Sequence, residues 1–336
     1  MKTVVIQGTK KVRVIEAPTP KSDDHFVLVK IHSAPMCTEY RKYFRGDECT
    51  NPGHEAAGEV AKAFGGSKVK AGDRVIVMPQ YPCGHCELCR QGDYIHCENI
   101  VDPLAKNKIE YGTGTFAEYV LKPDWLLIPI PDDISYDEAA MACCALGPAL
   151  GAGIALNIGP ADTVLVTGLG PVGLGAVIVA KYSGARVIGA GRNEYRRSLA
   201  FQLGADLVLD PDDGAIQEKI SAFTDGTGDG KVIECSGSEV HQRLAITTAK
   251  RKGHVAFIGE SSDFTMDISR DLLRKGLTLH GIWHWNLNDA PEMIRLIRAS
   301  KEKLQRLITH RFPLDKVEQA FELQQTANCG KVILQP

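Results

Sequence analysis

Thr163-Val164-Leu165-Val166-Thr167-Gly168-Leu169-Gly170-Pro171-Val172-Gly173 is the stretch on which the fold turns. A β-prone run leads straight into G-x-G-x-x-G, and a helical segment follows to about Ser183. In that setting the first glycine permits a tight turn and the second admits a pyrophosphate against the backbone. The third lets helix pack on strand. Free N–H groups and a partial positive charge at the helix start then face the phosphates. Gly168, Gly170, Pro171, Val172 and Gly173 are the candidate cofactor loop. Glycine-rich turns are common in α/β proteins, so the weight comes from the strand before, the helix after and a second strand, Arg186–Ala190, about twenty residues on.

Outward from this loop, residues 206–209, 231–235, 254–259 and 278–282 read as further strands between helical segments, which predicts a doubly wound parallel sheet. The first third is instead β-rich, with short β-branched runs at 27–31, 58–60 and 73–77 broken by Pro and Gly. After Pro291 come two amphipathic segments, at 293–297 and near 317–323, and a final strand at 331–334, which is expected to return to the first domain. The expected organisation is a discontinuous β-rich domain, 1–153 with 288–336, and a dinucleotide-binding domain, 154–287.

Composition narrows the function. The chain has 336 residues, 44% hydrophobic and 24% charged, enough for two packed cores. No apolar run is long enough to cross a membrane, and no secretory leader is evident, so a cytoplasmic protein without a membrane role is expected. Lys plus Arg is 39 against Asp plus Glu at 41, without the basic excess of a nucleic-acid binder. Collagen-like and coiled-coil compositions are excluded.

The end of the second strand bears on the cofactor. An acidic side chain there would bind the ribose 2′-OH of NAD. Here stand Gly191-Arg192-Asn193-Glu194, with Arg196 and Arg197 a turn later. Gly191 removes a carboxylate that would repel a 2′-phosphate, and Arg192, with Asn193 and Arg197 nearby, offers it a permanent positive charge. NADP(H) is expected over NAD(H), against the alternative of a merely solvated arginine face.

Cys83-x2-Cys86-x2-Cys89-x7-Cys97 is the most specific signal in the chain. Four closely spaced thiolates close a tetrahedron and leave no position for substrate, so this is a structural zinc loop. The spacing differs from the common ferredoxin runs. His85 and His96 lie inside the loop but are surplus to four thiolates.

Three further stretches become informative as an ordered set. They are Ala34-Pro35-Met36-Cys37-Thr38-Glu39-Tyr40, Gly53-His54-Glu55-Ala56-Ala57-Gly58 and Ala142-Cys143-Cys144-Ala145-Leu146-Gly147. Together with the four-cysteine loop and the glycine motif, the set resembles the zinc-containing medium-chain dehydrogenase/reductase family of alcohol, polyol and threonine dehydrogenases. The likeness spans nearly the whole chain, including Gly114-Thr115-Phe116-Ala117-Glu118-Tyr119 and Gly330-Lys331-Val332-Ile333-Leu334. It implies a GroES-like catalytic domain beside the Rossmann domain, and two zinc ions per chain, one catalytic and one structural. It further implies a small alcohol or carbonyl substrate and a homodimer or homotetramer.

By that resemblance Cys37 and His54 are the first two ligands of the catalytic zinc, and Glu55 is the neighbouring carboxylate able to approach the metal. The third ligand is Cys144 by its spacing to Gly151, or Cys143 counted back from the glycine motif. Zinc would act as a Lewis acid on the substrate oxygen while the nicotinamide takes or gives the hydride. The family's hydroxyl relay, two residues after the first cysteine, is here Glu39, with Thr38 one residue early. Thr38, Glu39 or water carries the proton. Trp283, His284, Trp285 and Asn286, together with Tyr40, Tyr43 and Phe44, are candidate pocket residues; core and interface aromatics are the alternative. Arg41, Lys42 and Arg45 hint at a polar or anionic substrate, or are solvated charges. The competing functions are a zinc-independent reductase of the same fold, like the quinone oxidoreductases, and a nucleotide-binding sensor that keeps only the structural zinc.

Overall fold

The computed structural model describes residues 1–23, 25–261 and 263–336. Its strands in chain order are β1 (Lys2–Gly8), β2 (Lys11–Glu16), β3 (Val27–Pro35), β4 (Ala56–Lys62), β5 (Arg74–Val77), β6 (Tyr119–Lys122) and β7 (Leu127–Pro129). Then follow β8 (Thr163–Thr167), β9 (Arg186–Ala190), β10 (Leu207–Leu209), β11 (Asp229–Glu234), β12 (Ala249–Phe257) and β13 (Thr278–Gly281). The last two are β14 (Ile308–Pro313) and β15 (Lys331–Gln335). The chain forms two compact units. One is Met1–Cys143 with Asn286–Arg298 and Ile308–Pro336; the other is Cys144–Trp285 with Ala299–Leu307.

In the first unit the strand order β14-β15-β3-β4-β5-β7 is built around β3, which β6 also joins. β3 is buried along nearly its whole length because it is paired at its start by β6, at its end by β15 and along its other edge by β4. Val27, Val29 and Ile31 point into one core with Val60, Val75, Phe116 and Phe321. Period-2 alternation puts these β-branched residues on one face of the sheet. Antiparallel pairing has a consequence for the site. It brings the end of β3, the start of β4 and the start of β15 to one margin of the sheet, with Ser33 opposite Ala57 and Pro35 opposite Ile333.

The second unit is a six-stranded parallel sheet in the order β10-β9-β8-β11-β12-β13. That is the doubly wound order, which reverses between β8 and β11, where such sheets bind dinucleotides. The glycine loop leaves β8 at this point and enters the helix Pro171–Tyr182.

The expected limits of 153 and 288 differ from these units in three places, the smallest being Asn286 and Leu287, which fall in the first unit. The helix Gly147–Ala155 belongs with the second unit because Gly175 lets it approach: a Cβ there would lie 1.8 Å from the carbonyl oxygen of Ala145. The segment Ala299–Leu307 also joins that unit, where Arg306 donates to the Gln202 carbonyl. Among the described residues no helix is long and apolar enough to cross a membrane.

Candidate active site

The margin of the first sheet assembles the site. β3 ends at Pro35 and delivers Met36 and Cys37, and the N–H of Met36 bonds the Val332 carbonyl of β15 at 2.9 Å. His54 and Glu55 immediately precede β4. Cys144 follows Cys143, the last residue of the first unit's leading segment. Ligand atoms of Cys37, His54, Glu55 and Cys144 all lie within 4.8 Å of one another. Of the adjacent pair Cys143 and Cys144, only the second is in this group. Cys143 is fully buried and its thiol faces the Val77 carbonyl at 3.5 Å, while burial pushes it up to about 12. Cys144 is the one that joins the cluster.

His54 is held by Glu39. Its Nδ1 lies 2.7 Å from Glu39 Oε1, and Glu39 Oε2 accepts the backbone N–H of Cys37 at 2.9 Å. This contact occupies Nδ1 of the ring. Burial opposes the ionised form of Glu39, but the His54 ring and the Cys37 N–H overcome it and hold the carboxyl at about 2. For His54, burial works against the proton, and the Glu39 carboxylate, Cys37 and Glu55 raise it well above the usual imidazole range. Anionic surroundings of this kind suit a divalent cation, and thiol, imidazole and carboxylate are zinc's donor types. Thr38 is exposed beside Cys37 at the start of the helix Glu39–Arg45.

Sequence reasoning missed Lys331. Its Nζ reaches Glu55 Oε1 at 2.7 Å, with the side chains 1% and 0% exposed. Burial raises the Glu55 carboxyl, and Lys331 opposes that rise.

The four-cysteine loop forms a second group, Cys83, Cys86, Cys89 and Cys97. Sγ of Cys97 lies 3.6 Å from that of Cys83 and 3.8 Å from that of Cys86. A tetrahedron with Zn–S bonds of about 2.3 Å has edges of about 3.8 Å, so the spacing fits zinc. Backbone N–H groups of Cys83 and Asn99 point at Cys97 Sγ, and that of Cys86 at Cys83 Sγ, as befits thiolates. His85 is turned to the Cys83 carbonyl, and neither His85 nor His96 belongs to the group.

In the second unit two glycines of the loop, Gly168 and Gly173, have a steric cause. Gly168 has φ +86°, and a Cβ would meet Ser236 at 2.5 Å; one on Gly173 would lie 1.9 Å from the Gly168 carbonyl oxygen. A Cβ on Gly170 would meet nothing within 4 Å, so that face of the turn is open to a pyrophosphate. Pro171 is the first residue of the helix, and Val172 the second.

At the end of β9 a side chain on Gly191 would crowd Leu169 at 2.9 Å, a packing reason for glycine beside the electrostatic one. Arg192 Nε pairs with Asp212 at 3.0 Å, both side chains more than half exposed. Arg197 is committed to the Gly191 and Arg192 carbonyls and to Asp210. Asn193 caps the next helix by accepting the Arg196 N–H. Of Arg192, Asn193 and Arg197, the side chains expected near a 2′-phosphate, Arg192 is therefore the most readily released.

Several pocket candidates have other employment. Tyr43 is 1% exposed and donates to Glu318 at 3.0 Å, within the core of the first unit. Arg45 pairs with Asp47. Asn286 bonds the Gln91 carbonyl and Asp93, bracing the base of the zinc loop. Trp285 is buried and Trp283 is 46% exposed.

The comparisons agree with this architecture. The alcohol dehydrogenase GroES-like domain pattern matches residues 23–132 and the zinc-binding dehydrogenase pattern residues 171–299. An L-threonine 3-dehydrogenase of Symbiobacterium thermophilum is 33% identical over 96% of this chain and 93% of its own. Two solved structures, each 26% identical, cover 100% of this chain and 99% of their own. An Escherichia coli CFT073 alcohol dehydrogenase (rspB) complexed with NADH has a TM-score of 0.87, and a zinc-binding dehydrogenase of Sinorhizobium meliloti 1021 bound to NADP has one of 0.86. With fold, glycine loop, thiol clusters and full-length likeness in agreement, this chain belongs to the zinc-containing medium-chain dehydrogenase/reductase family of oxidoreductases.

Proposed function

We propose that the protein transfers a hydride between a secondary alcohol or polyol, or the matching ketone or aldehyde, and NADP(H). The observation that carries this reading is the convergence of Cys37, His54, Glu55 and Cys144 within 4.8 Å. Cys37, His54 and Cys144 would hold a catalytic zinc, and the four-cysteine loop a second, structural one. Zinc supplies Lewis acidity to the substrate oxygen and the nicotinamide exchanges the hydride.

The chain's own residues prepare that chemistry. Glu39 has its oxygens engaged by His54 and the Cys37 N–H, so it orients the ring instead of acting as a base. The proton path then falls to Thr38, exposed beside Cys37, or to water. Gly168, Gly170 and Gly173 shape the turn for the pyrophosphate. Arg192 would leave Asp212 for a 2′-phosphate, an exchange that costs little because exposed ion pairs are worth about 0–1 kcal/mol. The relative named for threonine, itself a secondary alcohol, fits this substrate class.

Zinc per chain, measured on metal-replete protein and on Cys37→Ala, tests the reading. Two zincs falling to one, followed by turnover of secondary alcohols with NADP, supports it. One zinc in both proteins sinks it and leaves a zinc-independent reductase or a sensor.

A further inference from the structure

β8 stands between β9 and β11, with Thr167 level with Ala190 on one side and with Glu234 on the other. The residues that follow β9 and β11 therefore flank the glycine loop from its two sides. One flank carries Arg192. The other carries Ser236, whose Cβ would lie 2.5 Å from a Cβ on Gly168. A chain of hydrogen bonds links this second flank to a histidine. Ser236 Oγ lies 2.7 Å from Glu234 Oε1 and 3.1 Å from Ser238 Oγ, and Ser238 Oγ lies 2.7 Å from Nδ1 of His241.

The chain has one polarity. Glu234 also takes the backbone N–H groups of Ser236 and Gly237, the pattern of an ionised carboxylate. A carboxylate only accepts, so the Ser236 hydroxyl proton goes to Glu234. Ser236 Oγ then accepts from Ser238 twice, from its N–H at 3.0 Å and from its hydroxyl. With that proton spent, Ser238 Oγ is an acceptor and His241 Nδ1 must donate. Neutral His241 is thereby fixed with its lone pair on Nε2. That atom is buried and has no hydrogen-bond partner among the described residues. Ser238 stands at the N-cap of the helix Glu239–Thr248 yet makes no side-chain cap, its hydroxyl being engaged by the ring. A buried polar atom left unpaired is costly, and His241 is only 6% exposed. The charges around the ring are Arg192, after β9, and Asp212 and Asp210, after β10. Burial lowers the ring's pKa, Arg192 lowers it further, and the two aspartates oppose both. The apo ring is therefore neutral near pH 7.

We propose that His241 is a second recognition residue for the adenosine 2′-phosphate of NADP(H), with Nε2 taking a proton from solvent as the phosphate binds and donating that N–H to it. The proposal rests on the NADP(H) reading above and deepens it. NAD(H) brings no anion to this place, so with it the ring stays neutral.

Calorimetric titration of NADP and of NAD into the full-length protein, in two buffers of different ionisation enthalpy, reads affinity and proton uptake together. At about pH 7.5 a phosphate monoester, with its second pKa near 6, arrives already dianionic and releases almost no proton of its own. Wild type is expected to bind NADP more tightly than NAD, and to take up a proton with NADP alone. His241→Asn keeps an amide donor for Ser238 but has no Nε2. In it, NADP affinity should fall roughly tenfold, the scale of one charge-assisted hydrogen bond, while NAD affinity holds and the proton uptake disappears. His241→Gln, a longer neutral amide, replaces it should His241→Asn not fold, with the same loss of proton uptake expected. An unchanged ratio of NADP to NAD affinity in His241→Asn, or proton uptake that persists in either variant, overturns the inference and leaves the cofactor reading standing. Wild type that binds NAD as tightly as NADP overturns the NADP(H) reading and the inference with it.

Discussion

Nδ1 of His54 stands 2.7 Å from Oε1 of Glu39, whose second oxygen accepts the N–H of Cys37. One carboxylate thus braces two proposed metal ligands. A glutamine in its place could still accept from the imidazole through its single carbonyl oxygen. Its NH2 group would face the Cys37 N–H, donor against donor. Glu39→Gln should therefore lower zinc retention or turnover about 10–100-fold, and Glu39→Ala at least as much. Zinc release to a chelator, followed by absorbance, checks this. Wild-type release rates in both variants would show that the contact orients nothing.

The four-cysteine loop should behave as an independent module. Replacing Cys97, whose sulfur receives N–H groups from Cys83 and Asn99, removes a corner of the tetrahedron. Cys97→Ser is expected to lose one zinc per chain and expose 83–97 to limited proteolysis, while Cys37-dependent zinc stays. Metal analysis before and after digestion reads both effects. Loss of both zincs at once would contradict two separate centres.

How legible a residue was in the sequence depended on the range of its interactions. The glycine loop and the cysteine loop could be read directly because their signals are short-range in sequence: three glycines between one strand and the next helix, and thiols spaced by a few residues. Cys144 could not be separated from Cys143 by counting, because the choice depends on Cys143 facing the Val77 carbonyl of β5. Glu39 was legible as a chemically active residue but not in its role, since its partner His54 enters from the segment that precedes β4. Lys331 gave no local signal; its partner is 276 positions away and meets it only through the order β15-β3-β4. Asp210 and Asp212 were missed for a related reason, coming from the loop after β10 to meet arginines after β9.

Cofactor choice should turn on Arg192. It pairs with exposed Asp212, whereas Arg197 is tied to two backbone carbonyls as well as to Asp210. A charge-assisted hydrogen bond contributes about 1.5–3 kcal/mol, so Arg192→Ala should weaken NADP(H) binding by roughly 10–100-fold and leave NAD(H) nearly unchanged. Asp212→Asn, by releasing Arg192, should tighten NADP(H). Fluorescence titration of both nicotinamides into each variant gives the ratio. Equal losses for the two cofactors would remove the 2′-phosphate role.

Asp229, at the start of β11, is fully buried with neither carboxyl oxygen hydrogen-bonded, and burial pushes its pKa up to about 7. Its folded pKa is raised, so the native state holds this proton where the unfolded chain has released it. The stability it confers is complete below about pH 4 and is lost as pH rises through about 7, amounting to about 4 kcal/mol at full ionisation. Asp229→Asn should therefore raise the melting temperature relative to wild type at pH 8 far more than at pH 5. A pH-independent difference between the two proteins would mean that Asp229 stays ionised in the fold.

Gly170 and Gly173 separate binding from folding within one loop. A methyl group on Gly173 would sit 1.9 Å from the Gly168 carbonyl oxygen and 3.4 Å from Cys235 Cβ, so the helix must back away from its strand. Overpacking of this kind costs about 1–3 kcal/mol, and Gly173→Ala should melt earlier in proportion. Gly170 has φ −70° and ψ 179°, which alanine adopts freely, and its Cβ would meet no atom of the protein. Gly170→Ala should therefore melt with wild type yet bind NADP(H) roughly tenfold more weakly, a loss of about 1.4 kcal/mol, because the methyl stands where the pyrophosphate must approach. Calorimetric melting beside cofactor titration distinguishes the two. Undiminished cofactor binding by Gly170→Ala would show that the dinucleotide does not pass over this turn.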